Sequence, residues 1–172
     1  MSDRTTGIKG TRFHLDGPEL APGDKAPDFK LQKRTDGGFE DVTLATYAGK
    51  TLLLSVVPSL DTPVCALQTK TFNERASQLP GNVAVVTVST DLPFAQARFC
   101  GAEGIDKIET ASDHRDVNFG KAYGTLITDG PFQRVLSRAI FVVGPDGILK
   151  HVEYVPEVPD HPNYDAALAA VA

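Results

Sequence analysis

The alternation of apolar runs and helix signals from residue 51 onwards constrains the fold of this chain more than any other feature. In chain order it predicts a strand over 51–57, a helix over 63–78, a strand over 83–89 and a helix over 93–102. Pro80-Gly81 and Gly104 close the two helices. Strands that alternate with helices in this way are typical of parallel βαβ units.

The remainder of the chain adds an antiparallel part to this pattern. The sequence predicts a short strand near 108–110, a short helix over 117–123, and strands over 135–143 and 148–155 on either side of the turn sequence GPDG. An alanine-rich segment from Asn163 predicts a final helix. The whole order indicates an α/β protein of the thioredoxin-like type, with a central mixed sheet flanked by helices.

The N-terminal residues form an extension to this pattern. Residues 6–15 alternate loosely around Lys9-Gly10, which predicts a small β-hairpin, and the extension covers about residues 1–17. Residues 124–134 are expected to be an irregular connection close to a site or an interface. A length of 172 residues fits one domain over 1–172.

Charge and hydropathy exclude several classes of function. The net charge of −5 and the lack of a Lys/Arg cluster argue against a nucleic-acid partner. The longest apolar runs are too short to span a bilayer, and residues 1–13 lack the apolar core of a secretory signal. We therefore expect a cytoplasmic protein without a membrane anchor. Two cysteines in such a compartment argue against a permanent structural disulfide, and if the two pair, we expect the bond to be transient and functional.

The stretch VVPSLDTPVC places Cys65 at a special position. Pro58 ends the strand, Pro63 suits the first turn of the next helix, and Thr62 becomes the expected N-cap. Cys65 then lies in the first turn, where unpaired N–H groups and the helix dipole favour a nucleophilic thiolate. Two alternatives stay open: Cys65 as a small buried hydrophobic residue, and Thr62 as a helix cap only.

Four stretches of this sequence resemble one known family. Pro58, Thr62 and Cys65 match the P-x-x-x-T-x-x-C motif of peroxiredoxins. DLPFAQARFCGAEG, which contains Cys100, resembles the resolving-cysteine helix of the bacterial thiol peroxidases, the atypical two-cysteine peroxiredoxins. LSRAIFVV resembles their strand with the active-site arginine, here Arg138, and the similarity runs on to NYDAALAAV near the C-terminus.

The resemblance implies a peroxidase that reduces hydrogen peroxide and organic hydroperoxides, with a preference for organic ones, in antioxidant defence. Cys65 would attack as the peroxidatic thiolate and become a sulfenic acid, and Cys100 of the same chain would condense with it to a disulfide. Thioredoxin would then reduce this disulfide. The resemblance also implies a homodimer, no cofactor besides the redox-active cysteines, and roles for Arg138 in holding thiolate and peroxide and for Pro58 in shielding the thiolate.

Two of these residues also have simpler explanations. Arg138 lies in an apolar run, where alternation with Ser137 and Ala139 would let it face outward from a strand. The sequence places Cys100 near the C-terminal end of its predicted helix, where the helix dipole disfavours a thiolate. This position suits a thiol that reacts only after a sulfenic acid has formed.

The sequence gives little indication of any other functional site. The four histidines lack metal-ligand spacing, so the sequence predicts no metal site. The segment Ser112–Asp116 is predicted to be a solvated turn and helix cap. A general disulfide oxidoreductase would need C-x-x-C, but Thr62 occupies the partner position before Cys65. A non-enzymatic redox sensor would keep the cysteines without needing Arg138 or the Thr62 hydroxyl.

The positions of the two cysteines also predict movement. Cys65 lies in the first turn of one helix and Cys100 about two turns into another, whereas a disulfide needs Cα atoms within ~4.4–6.8 Å. We expect the reduced fold to hold the thiols too far apart to bond. Local unwinding around Cys65, around Cys100 or around both would then accompany disulfide formation.

Overall fold

The computed structural model describes residues 3–172. The strands and helices in chain order are β1 Thr5–Ile8, β2 Thr11–Asp16, β3 Leu31–Thr35, β4 Gly38–Val42, β5 Thr51–Val56, α1 Pro63–Ala76, β6 Val83–Ser89, α2 Pro93–Glu103, β7 Glu109–Ser112, α3 Asn118–Tyr123, β8 Leu126–Ile127, β9 Ala139–Val143, β10 Leu149–Tyr154 and α4 Tyr164–Ala170. Two short 3₁₀ turns lie at Leu44–Tyr47 and Gly130–Phe132.

The main sheet has seven strands in the order β10-β9-β5-β6-β7-β3-β4. β5, β6 and β7 run parallel, whereas β9 pairs antiparallel with β5 and with β10. The βαβ units and the final antiparallel hairpin therefore arise as the sequence predicts, and the central sheet is mixed. The parallel strands end at the same edge, where α1 and α2 begin.

Helices cover both faces of this sheet. Every residue of β5 is buried, and its side chains alternate between two core clusters. Leu53 packs on one face with Phe72 of α1, whereas Leu52 and Leu54 pack on the opposite face in the cluster that contains Tyr123 of α3. This two-sided burial explains why the central strands read as continuous apolar runs.

The predicted N-terminal hairpin is present as β1 and β2. Lys9 and Gly10 both have positive φ angles, 49° and 84°, which are typical of the two-residue turn that matches strand twist. β2 also pairs with β8, so the hairpin joins a separate three-stranded sheet. The connection over 124–134 was predicted to be irregular, and the structure adds to it the two-residue strand β8 and a 3₁₀ turn.

Two differences from the predicted elements have physical causes. The β3–β4 hairpin was not predicted because its strands, LQKRT and GFEDV, are rich in charged residues and form one edge of the sheet. The strand predicted over 135–143 begins only at Ala139. Leu136 instead forms a single bridge to Leu126 of the small sheet.

The turn at Ser112–Asp116 caps a helix as expected, but it is not fully solvated. Asp113 is only 1% exposed, and its carboxylate accepts hydrogen bonds from the N–H groups of Phe119 and Gly120 at the start of α3. Burial raises the pKa of Asp113 to about 6, while the two backbone hydrogen bonds counteract this rise. Within residues 3–172, no helix combines the length and hydropathy needed to cross a membrane.

Candidate active site

Cys65 occupies the third position of α1, at the edge of the sheet where β5 ends. The helix begins at Pro63 with Thr62 as the N-cap residue, as the sequence predicts. Cys65 is 0% exposed and packs with Val57 and Leu60. The thiol therefore combines a helix N-terminal position with complete burial.

The Thr62 hydroxyl does not cap α1 through its side chain. It donates to the carbonyl oxygen of Ser59 at 2.8 Å, and no side-chain capping bond is made at this position. The explanation of Thr62 as a side-chain cap is therefore wrong. Because the hydroxyl proton is directed to Ser59, the oxygen lone pairs stay available to accept a hydrogen bond.

Arg138 lies directly before β9 and is 2% exposed. Its Nη2 atom donates to Sγ of Cys65 at 3.4 Å. The alternative in which Arg138 faces solvent is wrong for two reasons: the strand begins one residue later, and both faces of the sheet are covered. The structure thus brings Arg138 to Cys65 across 73 positions of sequence.

The other donors of the Arg138 guanidinium bind neutral groups. Nη1 donates to Oε1 of Gln68 at 2.9 Å, while Nε and Nη2 donate to the carbonyl oxygen of Val158 at 2.9 and 2.7 Å. Within residues 3–172, no carboxylate forms an ion pair with Arg138. A buried cation without a counter-charge is costly, so a thiolate at Cys65 is the natural partner.

Gln68 was missed by the sequence analysis. It is fully buried, accepts from Arg138 through Oε1, and donates through Nε2 to Oγ of Ser55 on β5 at 2.7 Å. Gln68 follows Cys65 by three positions, and residues three apart share one face of a helix. A polar residue on the same face as the cysteine was the available signal, whereas nothing local indicated the Val158 carbonyl.

An apolar cleft of about 370 Å³ lies next to the start of α1, and Thr62 and Arg138 line it, whereas the buried Cys65 does not. The lining residues come from the segment before α1, from the N-terminal hairpin, from β8 and the connection after it, and from the segment after β10. The lining residues are Ile8, Lys9, Pro58, Thr62, Pro63, Val64, Ile127, Phe132, Val135, Arg138, Val158 and Pro159. Arg138, whose guanidinium contacts the Cys65 sulfur, is therefore one of the residues that line a mainly apolar cleft.

Cys100 lies apart from this group, in the last turn of α2. Its Sγ atom lies 3.8 Å from Oγ1 of Thr110, and both cysteines are free thiols. Burial raises the pKa of Cys100, and the contact with Thr110 lowers it by a smaller amount. Pro58, Thr62, Cys65 and Arg138 thus meet in one place, whereas Cys100 packs in a different cluster, with only Phe99 bordering both.

Across residues 3–172, no three side chains of His, Cys, Asp or Glu are grouped in a way that could hold a metal ion. Independently of this, the site brings together a buried thiol, a guanidinium and a hydroxyl. These groups suit nucleophilic attack by sulfur on a small, polarisable bond.

Comparison with known proteins gives consistent matches over nearly the whole chain. The sequence model of the Redoxin family matches residues 21–168. The chain is 48% identical to a thiol peroxidase of Leptospira interrogans over 165 residues, which cover 95% of this chain and 94% of the relative. It is 51% identical to a thiol peroxidase of Listeria innocua over 156 residues, which cover 91% and 90%.

Solved structures show the same architecture. A peroxiredoxin-like protein from Aquifex aeolicus superposes with a TM-score of 0.87 at 38% identity, and the match covers 98% of this chain and 95% of the other. A thiol peroxidase from Chromobacterium violaceum gives a TM-score of 0.85 over 96% and 93% of the chains. At 23% identity, this second match supports the fold alone.

Proposed function

The chain belongs to the Redoxin family as a peroxiredoxin-type thiol peroxidase, and we propose that it reduces hydroperoxides by direct attack of Cys65. The main support for this assignment is the contact between the buried Arg138 guanidinium and the Cys65 sulfur, since no carboxylate in the described part of the chain forms an ion pair with Arg138. A guanidinium in this position stabilises the thiolate, and Arg138 also lines the cleft through which a peroxide would enter.

In the first step, the Cys65 thiolate attacks the terminal oxygen of the hydroperoxide. The S–O bond forms as the O–O bond breaks, so sulfur is oxidised to a sulfenic acid and the leaving alkoxide takes a proton to become an alcohol or, from hydrogen peroxide, water. Four of the five Arg138 donor positions are used by Cys65, Gln68 and Val158, which leaves one Nη1 hydrogen for a peroxide oxygen. The Thr62 oxygen can accept the peroxide O–H.

In the second step, the Cys100 thiol attacks the Cys65 sulfenic acid. The S–S bond forms and water leaves with the sulfenic oxygen and the two protons, so oxidation ends at a disulfide within one chain. Because the two sulfurs have different surroundings, this step requires local opening of the first turn of α1, of the end of α2, or of both. The raised pKa of Cys100 keeps this thiol protonated during the first step.

A dithiol reductant completes the cycle, and we assign this role to thioredoxin on the basis of the resemblance. Its two thiols take up the oxidation by exchange, which returns Cys65 and Cys100 to the reduced form and leaves a disulfide on thioredoxin. No cofactor is required, because the electrons pass between sulfur atoms. We also assign a homodimer and a cytoplasmic location, where reduced thiols are maintained.

The cleft favours organic hydroperoxides over hydrogen peroxide. Its walls are largely apolar, with Ile8, Ile127 and Phe132 among them, and its volume of about 370 Å³ exceeds what hydrogen peroxide occupies. Burial of an alkyl chain against these side chains contributes roughly 0.8 kcal/mol per CH₂ group. Hydrogen peroxide lacks this contribution and remains a poorer substrate.

Stopped-flow measurement of peroxide consumption, with and without thioredoxin and its reductase, tests the proposal. A peroxidase consumes one equivalent of peroxide without thioredoxin and turns over repeatedly with it. A general disulfide oxidoreductase would consume no peroxide, and a non-enzymatic sensor would react once and show no turnover. Either of these two results would overturn the assignment.

A further inference from the structure

We propose that Asp91 is a positioning residue for the peroxide step, because its carboxylate holds residues 59–62 in place over Cys65. This inference rests on the proposed function. Asp91 lies between β6 and α2, outside the group of side chains that contacts the Cys65 sulfur. Its role would therefore be to fix other residues rather than to touch the peroxide.

The Asp91 carboxylate accepts three hydrogen bonds. Oδ1 accepts from Oγ of Ser59, and Oδ2 accepts from the backbone N–H of Leu60 and from Oγ of Ser89, each at 2.8 Å. Ser59 and Leu60 belong to the segment that leads from β5 into α1, whereas Ser89 ends β6. The carboxylate thus joins a loop before Cys65 to the fixed end of a central strand.

Ser59 passes this restraint to Thr62. The Ser59 carbonyl oxygen accepts from both the backbone N–H of Thr62 at 3.1 Å and its hydroxyl at 2.8 Å. The Ser59 Oγ that donates to Asp91 also accepts from the N–H of Asp61 at 3.3 Å. The hydroxyl of Thr62, a residue that lines the cleft, is therefore oriented through Ser59 by the Asp91 carboxylate.

The backbone of Asp91 is itself anchored next to the helix that carries Cys100. Its carbonyl oxygen accepts from Oγ of Ser112 at the end of β7, and the next residue, Leu92, is the N-cap of α2. The buried Gln96 of α2 donates to Oγ of Ser89 at 3.0 Å, which ties the same helix to the same strand end. Asp91 therefore connects the two segments whose cysteines must later meet.

This arrangement predicts opposite effects on the two chemical steps. If residues 59–62 move when the disulfide forms, the bonds from Ser59 and Leu60 to Asp91 must break. Loss of the carboxylate would misplace Thr62 and slow attack on the peroxide, yet it would remove a restraint on opening. A general loss of stability would instead impair both steps.

The test measures the two steps separately in Asp91→Ala. The rate of Cys65 oxidation by cumene hydroperoxide is followed in the Cys100→Ser background. The rate of disulfide formation is followed in the protein with both cysteines, at hydroperoxide concentrations high enough that Cys65 oxidation is no longer rate-limiting. We expect the first rate to fall about tenfold to hundredfold, as for a misplaced reacting group, and the second to equal or exceed that of the parent. An unchanged first rate, or an equal fall in both rates, would overturn the proposal.

Two further variants separate the carboxylate from general effects. Ser112→Ala removes the hydrogen bond to the Asp91 backbone but leaves the carboxylate and its partners, so both rates should stay near the parent values. If Ser112→Ala changed the two rates in the same way as Asp91→Ala, the proposal would be contradicted. Ser59→Ala should give a smaller effect in the same direction and keeps the test valid if Asp91→Ala fails to fold, since an unchanged first rate in Ser59→Ala would then refute it.

The outcome also distinguishes this inference from the proposed function. If Cys65 is not oxidised in Cys100→Ser protein that retains Asp91, the proposed function fails and the role of Asp91 fails with it. If Cys65 is oxidised at the same rate whether residue 91 is Asp or Ala, the proposed function stands and only the role of Asp91 is refuted.

Discussion

Nη2 of Arg138 lies 3.4 Å from Sγ of Cys65, and neither residue is more than 2% exposed. The guanidinium is also fixed by Gln68 and by the Val158 carbonyl oxygen, so its position does not depend on the thiol. The site is therefore organised before a substrate arrives. A fixed positive charge beside sulfur favours the thiolate and is available to the leaving oxygen during attack.

Two substitutions of Arg138 should slow the peroxide step to different extents. Arg138→Met removes the charge and every donor, and we expect a loss of about 10²–10³-fold in the rate of Cys65 oxidation, the effect typical of a lost electrostatic donor. Arg138→Lys keeps the charge but cannot bind Gln68, Val158 and Cys65 together, so it should be intermediate. Stopped-flow oxidation in the Cys100→Ser background provides the measurement, and equal rates in all three proteins would remove Arg138 from the reaction.

Phe132→Ala should change substrate preference rather than the chemical step. Phe132 lines the cleft and packs edge-on against Phe13 at 5.9 Å. Because the ring offers contact only to a substrate with an alkyl or aryl group, kcat/KM should fall severalfold for cumene hydroperoxide and stay unchanged for hydrogen peroxide.

Phe94→Ala is the matched control for this prediction. Phe94 is also an exposed phenylalanine, at 59% against 39% for Phe132, but it packs on Phe39 and does not line the cleft. Its substitution should leave the ratio of the two substrates unaltered. A proportional loss for both substrates in Phe132→Ala would contradict recognition through the cleft.

Asp113 should make an unusual contribution to the pH dependence of stability. Burial raises its pKa from 3.8 to about 6 in the folded protein, so the folded state binds this proton more tightly than the unfolded chain. The stability that this proton contributes, ~3 kcal/mol, is fully present below about pH 4 and is lost as the pH rises through about 6.

Urea unfolding of the parent and of Asp113→Asn from pH 4 to 7 checks this prediction. The variant cannot ionise at this position, so the difference in unfolding free energy between the two proteins should grow in favour of the variant as the pH rises. The comparison cancels the contributions of Asp41 and Asp129, whose pKa values are lowered by Arg115 and His14. A difference that does not vary with pH would show that Asp113 keeps an ordinary pKa.

Amide hydrogen exchange should detect the opening that disulfide formation requires. We expect faster exchange over 62–67, over 95–103 or over both in the disulfide form than in the reduced form. The buried strand β5 serves as an internal reference. Cys100→Ser treated with the hydroperoxide that oxidises the parent is the control. If exchange in the parent were the same in the reduced and disulfide forms, the cysteines would meet without local unwinding.

The fold was largely predictable because its central strands and helices carry strong local signals. The start of α1 at Pro63 and the bounds of β6 follow from prolines and from a continuous apolar run. The β3–β4 hairpin was not predictable, because its strands lie at an exposed edge of the sheet and show only a weak alternation of charged and apolar side chains. Local hydrophobicity carries little information about a strand whose faces are half solvated.

Within the site, only residues whose chemical role follows from their position in a helix or strand could be predicted from the sequence. Cys65 follows from a helix N-terminus, but the partners that fix Arg138 lie far apart in sequence, Gln68 by 70 positions and Val158 by 20. The period-2 interpretation failed at Arg138 because the residue precedes the strand and is enclosed by neighbouring segments. Long-range hydrogen bonds of this kind have no signature in a single sequence.

The division of labour between the two cysteines is tested most directly by intact mass spectrometry after one equivalent of cumene hydroperoxide. The parent should lose two hydrogen atoms as the Cys65–Cys100 disulfide forms, and Cys100→Ser should instead gain one oxygen atom as a sulfenic acid. Cys65→Ser should be unchanged and should consume no hydroperoxide. Rapid oxidation of Cys65→Ser, or failure of Cys100→Ser to gain oxygen, would contradict the assignment of Cys65 as the attacking thiolate.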